Sequence, residues 1–137
     1  MSYLIDTNVL SELRRTKPHP GVVRWFAERS ANSLYLSVLT LGEIRKGIEG
    51  VADSRRRAVL IDWLETDLPA FFSGRILNVD GFVADRWGRI VAQARRTVPA
   101  IDALLAATAM HHDLSLVTRN VKDFKAFTLT VIDPWEG

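Results

Sequence analysis

The six residues Tyr3-Leu4-Ile5-Asp6-Thr7-Asn8 constrain this chain more than any other stretch. Tyr, Leu and Ile suit a buried strand. Asp and Asn end one, because their short polar side chains compete with the backbone for hydrogen bonds. Val9 to Leu13 then carries the start of a helix. The pattern places Asp6 at the carboxyl end of a first strand, beside a helix N-terminus. In an open α/β sheet that edge is where ligands bind. Taken alone, Asp6 reads equally well as a plain helix cap, so its meaning depends on what else reaches the same edge.

The rest of the chain alternates between strands and helices. Asn8 to Arg15 forms a short helix, which Pro18 and Pro20 break. Gly21 to Arg29 fits a helix with Val22, Trp25 and Phe26 on one face. Leu34 to Val38 reads as a second buried strand. The apolar stripe Leu41, Ile44, Ile48 follows on a helix, with Gly50 as its stop. Ser54 is expected to cap a long helix carrying Val59, Leu60, Trp63, Leu64 and Leu68, which Pro69 ends. Arg75 to Val79 gives a third strand, and Asp80 caps a helix through Val83, Trp87, Ile90, Val91 and Ala94. Ile101 to Ala109, rich in Ala and Leu, has the strongest helix propensity. Leu114 to Thr118 is a fourth strand, ending in Arg119 and Asn120, and Thr128 to Ile132 a short last one. The alternation predicts an α/β fold, a mostly parallel sheet with helices on both faces. A chain of 137 residues is expected to make one domain, 1–137, with a sizeable core.

Several function classes drop out. There is no cysteine, hence no disulfide framework and no thiolate zinc site. No apolar run approaches the roughly 20 residues of a membrane span. Asp6 interrupts any secretory signal pattern at the N-terminus, so a cytoplasmic protein is expected. The formal net charge of +2 permits contact with a polyanion without requiring it.

Three acids share one placement. Asp6 ends a strand, Glu43 lies early in the helix after the second strand, and Asp102 opens the Ala-rich helix, where the dipole favours a carboxylate. Asn120 ends the fourth strand. All four are expected at or near the same carboxyl edge. Carboxylates brought together repel one another, and no Lys or Arg is adjacent in sequence to any of the three. A hard divalent cation, Mg²⁺ or Mn²⁺, is the economical partner: it takes oxygen ligands and is held by one or two carboxylates together with a phosphate. That chemistry points to phosphodiester hydrolysis. Each acid alone reads equally well as a structural residue, Asp6 and Asp102 as caps and Glu43 as part of a solvated face.

Four ordered motifs carry a resemblance. They are Leu4-Ile5-Asp6-Thr7-Asn8-Val9-Leu10-Ser11-Glu12, Ser37 to Gly47 around Glu43, Ile101 to Ala109 around Asp102, and Leu116-Val117-Thr118-Arg119-Asn120-Val121-Lys122-Asp123-Phe124. In this order and spacing, with the closing Asp133-Pro134-Trp135, the chain resembles the PIN-domain ribonucleases of the VapC and FitB type from end to end. The resemblance implies a metal-dependent endoribonuclease with a Rossmann-like sheet, the toxin of a toxin–antitoxin pair. It also implies a homodimer that assembles further with a small DNA-binding antitoxin. Asp6, Glu43 and Asp102 match the three metal-binding acids. The fourth family position falls on Asn120, where many relatives have Asp. An amide is a neutral ligand suited to holding a water, and a second permanently held metal is less expected. Thr7, Asn8 and Thr118 are expected to hydrogen-bond the acids, and Asp123 either supplements Asn120 or fixes the following turn. A second departure is the short connection Arg95-Arg96-Thr97-Val98-Pro99 before Asp102, where relatives often carry a longer Gly-Pro-rich loop.

Arg14 and Arg15, close after the first motif, are candidates for RNA phosphate contacts. They read equally well as partners of acids such as Glu12. Arg55, Arg56 and Arg57 open a helix, where cations are disfavoured; a surface run or a site for an acidic partner would explain them. His111 and His112 fall at the far end of the Ala-rich helix and read as dipole-favoured residues rather than catalytic ones. Trp63, Phe71 and Phe72 belong either to the core or to a protein-binding surface. Two alternatives to the ribonuclease stand beside it. One is a structure-specific DNA nuclease. The other is a non-catalytic PIN-fold binding module, which Asn120 and the short connection favour and the retention of three like charges opposes.

Overall fold

The computed structural model describes residues 1–136. Five short parallel strands form one sheet: β1 (Tyr3–Ile5), β2 (Leu34–Ser37), β3 (Ile76–Leu77), β4 (Ser115–Val117) and β5 (Val131–Ile132). Their order is β3-β2-β1-β4-β5, and every pairing is parallel. The first strand is therefore the central one. The chain winds away from it in one direction through β2 and β3, and in the other through β4 and β5. The reversal lies between β1 and β4, and a crevice at their carboxyl ends is the usual ligand site of such a sheet.

Leu4 and Ile5 are both fully buried although they point to opposite faces. This is what helices on both sides of a parallel sheet demand. Ile5 faces a cluster built from α1 (Thr7–Leu13), α2 (Pro20–Ala27), α3 (Val38–Glu49) and α4 (Ser54–Asp62), with Val9, Val22, Trp25, Ile44 and Phe72. Leu4 faces the second cluster, where α6 (Gly81–Gln93) packs on α7 (Ala100–His111). The small side chains of α7 explain its position: Ala103, Ala106, Ala107 and Ala109 are completely buried, which lets its backbone approach its neighbours closely.

Local chemistry sets the boundaries. Pro20, which the sequence suggests as a breaker, is the first residue of α2, with His19 as its cap; a first-turn proline has no hydrogen bond to lose. Asp53 rather than Ser54 caps α4, accepting from the amides of Arg55 and Arg56 at 3.0 and 3.4 Å. Pro69 does not end the helix. A π-helical turn, Trp63–Asp67, precedes α5 (Leu68–Phe71). It resets the ladder, so that proline's missing N–H falls in a first turn, where no donor is needed. Gly74, at φ +78°, then turns the chain into β3. This strand is shorter than the expected Arg75 to Val79, although the Arg75 carbonyl still accepts from the Leu36 amide at 3.0 Å.

Candidate active site

Asp6 leaves β1 in extended conformation and caps α1, its Oδ1 accepting from the Thr7 amide at 2.7 Å. The cap reading is thus correct as far as it goes. A cap, however, uses only one oxygen of the carboxylate. The other, Oδ2, accepts a 2.8 Å hydrogen bond from the Thr118 hydroxyl at the end of β4. The Thr118 oxygen in turn accepts from Asn8 Nδ2 and from the Asn120 amide, both at 3.1 Å. Asn8 Oδ1 accepts from the Arg119 amide at 3.3 Å. These bonds tie the ends of β1 and β4 together at the topological switch and hold Asp6 in one orientation.

Glu43 comes from the other side. It lies in the second turn of α3, the helix that Ser37 caps. The Thr7 hydroxyl donates to its Oε1 at 2.6 Å, so consecutive residues of α1 orient two acids: Thr7 through its amide and hydroxyl, Asn8 through Thr118. Asp102 enters from the first turn of α7. Asp6, Glu43 and Asp102 line one cleft of about 590 Å³ together with Asn120.

The charges show how close the grouping is. Burial pushes the Asp6 carboxyl above its ordinary value; the Thr118 and Thr7 hydrogen bonds pull it back, and Glu43 and Asp123 push it up again. Burial also raises Asp102, to about 6, reinforced by Asp6, then Asp123, then Glu43. No Lys or Arg forms an ion pair with any of these four acids among the described residues. The all-oxygen donor set fits a hard divalent cation. Among the described residues, no three acids close into a ready-made cage.

The expected residues do not all play equivalent parts. Asn120 reaches the cleft as an exposed rim residue. The fourth negative charge felt by Asp6 and Asp102 is that of Asp123, in the 3₁₀ turn Val121–Phe124. Arg15 lines the cleft while pairing with Glu12 at 3.3 Å. Arg14 does not. Its guanidinium lies 5.2 Å from the Trp63 ring centre, in a separate apolar groove shared with Phe71 and Phe72. Of the other basic residues, Arg45 pairs with Glu65 and Arg57 with Glu49. The His111 ring stacks on Phe82 at 5.5 Å rather than joining the cleft. The short connection before α7 is pinned where Arg96 donates to the Lys122 carbonyl at 2.6 Å.

Five cleft residues were not singled out for the site from the sequence: Ser11, Glu12, Arg56, Arg119 and Trp135. Glu12 had a visible signal, its place at the end of the first motif. It is buried, and accepts from the His19 amide at 2.8 Å. Arg56 had another, a cation at a helix start. Arg119 and Trp135 come together only through the tertiary fold.

Comparison with known proteins agrees with this geometry. A family model described as PIN domain matches residues 3–128. The chain belongs to the PIN domain family. Among PIN proteins it is similar to the toxin FitB of Neisseria gonorrhoeae, 36% identical over 96% of this chain and 97% of the relative. It is also similar to the VapC ribonuclease Y4jK of Sinorhizobium fredii, 32% identical over 97% of each. The solved structure of FitAB bound to the IR36 DNA fragment superposes with a TM-score of 0.91, at 34% identity, over 97% of this chain and 95% of that one.

Proposed function

We propose that this PIN domain, taken as residues 1–137, is a metal-dependent endoribonuclease and the toxin of a toxin–antitoxin pair. The observation that carries the reading is the grouping of Asp6, Glu43 and Asp102 in one cleft at the sheet's switch point, with no cation paired to them. The relatives named toxin and ribonuclease support it across nearly their whole length. Asp6, Glu43 and Asp102 would hold Mg²⁺ or Mn²⁺, which supplies Lewis-acid activation of water and charge stabilisation on the phosphodiester. Thr7 bonds one oxygen of Glu43, and Thr118 one oxygen of Asp6, which would steady both carboxylates for the cation. Asn120, on the rim of the cleft, would hold a water, and Asp123 adds negative charge to the group. Arg15 is the candidate for contact with RNA phosphate; Arg14, turned to the other groove, is not.

The partners follow the same reading: a second copy of the chain, and a small antitoxin that binds operator DNA, which the DNA-bound FitAB relative supports. Among the described residues no helix is long and apolar enough to cross a membrane, in keeping with a proposed place in the cytoplasm.

The test is cleavage of a mixed small-RNA pool with Mg²⁺ or Mn²⁺, with EDTA, and with the Asp6→Asn variant, beside a DNA of matching sequence. Cleavage of RNA that needs both the metal and Asp6 is the expected result. Preferential cutting of the DNA would replace the substrate assignment. A folded protein that binds metal and cuts neither would favour the non-catalytic binding module.

A further inference from the structure

We propose that Arg119 and Trp135 form a stacking platform for one nucleobase of the substrate, beside the acids of the cleft. This rests on the ribonuclease reading and adds to it a base-binding position. The Arg119 guanidinium lies 5.0 Å from the centre of the Trp135 ring. Both residues line the cleft that holds Asp6, Glu43 and Asp102. Arg119 is exposed, and among the described residues its guanidinium has neither a carboxylate nor a hydrogen-bond partner. Guanidinium planes and aromatic rings are the surfaces on which proteins stack unpaired bases, and every base has a π-face to offer.

Each half of the platform is fixed from behind. The Arg119 amide donates to Asn8 Oδ1 at 3.3 Å, and Asn8 bonds the same Thr118 hydroxyl that holds Asp6. The Trp135 amide donates to Asp133 Oδ1 at 2.9 Å, and its ring packs against the core. Gly21 lets this turn sit down on α2: a Cβ there would lie 3.2 Å from the Pro134 carbonyl oxygen. A stacked base would thus be held in register with the acid that begins the reaction site. A phosphate contact would need only a cation. An arginine backed by an indole suits a planar ligand, and bases inside a duplex, already stacked on both faces, cannot use it.

The experiment starts from a short single-stranded RNA that the wild-type protein cuts in the mixed pool. The nucleotides flanking the cut are replaced one at a time by an abasic residue, and KM and kcat are measured separately. In wild type, one abasic position is expected to raise KM on the order of tenfold. Trp135→Leu and Arg119→Lys should raise KM on the intact RNA to a similar degree and lose the sensitivity to that position, whereas Trp135→Phe should keep it. Arg119→Lys retains the charge, and so tests the platform even if Trp135→Leu fails to fold. Annealing a complementary strand should suppress cutting. A flat abasic scan in wild type, or sensitivity that survives in Arg119→Lys, overturns the platform. A flat scan with a salt slope reduced by about one in Arg119→Gln would assign Arg119 to a phosphate instead. Absence of any metal- and Asp6-dependent cleavage of RNA by wild type would bring down the ribonuclease reading itself, a different result from cleavage with a flat scan.

Discussion

Replacing Asp102 by Asn should abolish cleavage and at the same time make the metal-free protein more stable. The carboxyl is raised from 3.8 to about 6 by burial and by the charges of Asp6, Asp123 and Glu43. At about 1.4 kcal/mol per pH unit, that shift is a penalty of roughly 3 kcal/mol on the folded state once the group is ionised. Asp102 is only partly buried, and water screens much of the repulsion, so about 1–2 kcal/mol is the gain to expect on removing the charge. The sign follows from proton linkage. A carboxyl with a raised folded-state pKa holds its proton more tightly in the native protein than in the unfolded chain. The wild type is therefore at no disadvantage below pH 4, loses ground between about pH 4 and 6, and stays behind above that.

The assay is urea unfolding of wild type and Asp102→Asn in EDTA at several pH values, read as the midpoint at unchanged slope. The variant's advantage should be absent near pH 4 and full by pH 7, with a Tm higher by about 3–8 °C for a chain of this size. Adding Mg²⁺ should then stabilise the wild type and not the variant, because a ligand that binds only the folded state raises its stability by mass action. Asp102→Asn proving less stable than wild type in EDTA at pH 7, or showing an advantage that does not change with pH, would refute the picture of mutually repelling acids.

Thr118→Val should cost about 1–3 kcal/mol, because it leaves buried Asp6 and its neighbours without their shared hydroxyl. It should also move the acid limb of the cleavage pH profile upward, since the Thr118 bond is the larger of the two that offset the rise burial imposes on the Asp6 carboxyl. Thr118→Ser should restore both. Thr7→Val frees Glu43 while keeping the amide that caps on Asp6, and should lower the cleavage rate on the order of tenfold with little change in Tm. Asp53→Ala should cost about 1 kcal/mol in chemical denaturation, and Ser54→Ala about 0.5 kcal/mol or less, because Asp53 supplies the cap of α4.

The three acids were legible because each sits at a boundary that local patterning marks: a strand end for Asp6, the helix leaving a strand for Glu43, a helix start for Asp102. The sheet was legible from the same alternation. Where the sequence misled, two local rules competed. Ser54 and Asp53 are both good caps, and only the backbone geometry decides for Asp53. Pro69 is a stop signal unless a π turn precedes it. What could not be read was direction. Arg14 and Arg15 are neighbours in sequence, yet one lies over Trp63 and the other reaches the acid cleft. Both lie just past the end of α1, Arg14 as its C-terminal cap, where no helical or apolar period fixes which of two arginines faces the site. Asp123 was legible in two ways, as a supplement to Asn120 or as the anchor of the following turn, and the structure adds its charge on Asp6 and Asp102, from a 3₁₀ turn with no strong period to announce it.

The cleft combines two charge patterns that would each fail alone. At its centre, buried Asp6 stands with Glu43 and Asp102, none of them paired with a cation among the described residues, and hydroxyls orient the first two. On its exposed sides stand Arg15, Arg56 and Arg119. Acids by themselves would repel a polyanion, and a basic surface by itself would bind one without acting on it. Had any of those arginines paired with Asp6 or Asp102, the carboxyl would be neutralised within the chain and the demand for a metal would fall. The ion pairs among the described residues leave the three acids out, and the Arg15–Glu12 pair lies within the cleft itself. Thr7 and Thr118 make that separation possible: they fix the carboxylates in place at a fraction of the charge compensation an arginine would bring. On the proposed reading, the remaining negative charge would be left for a divalent cation, and the arginines would receive the phosphate it holds.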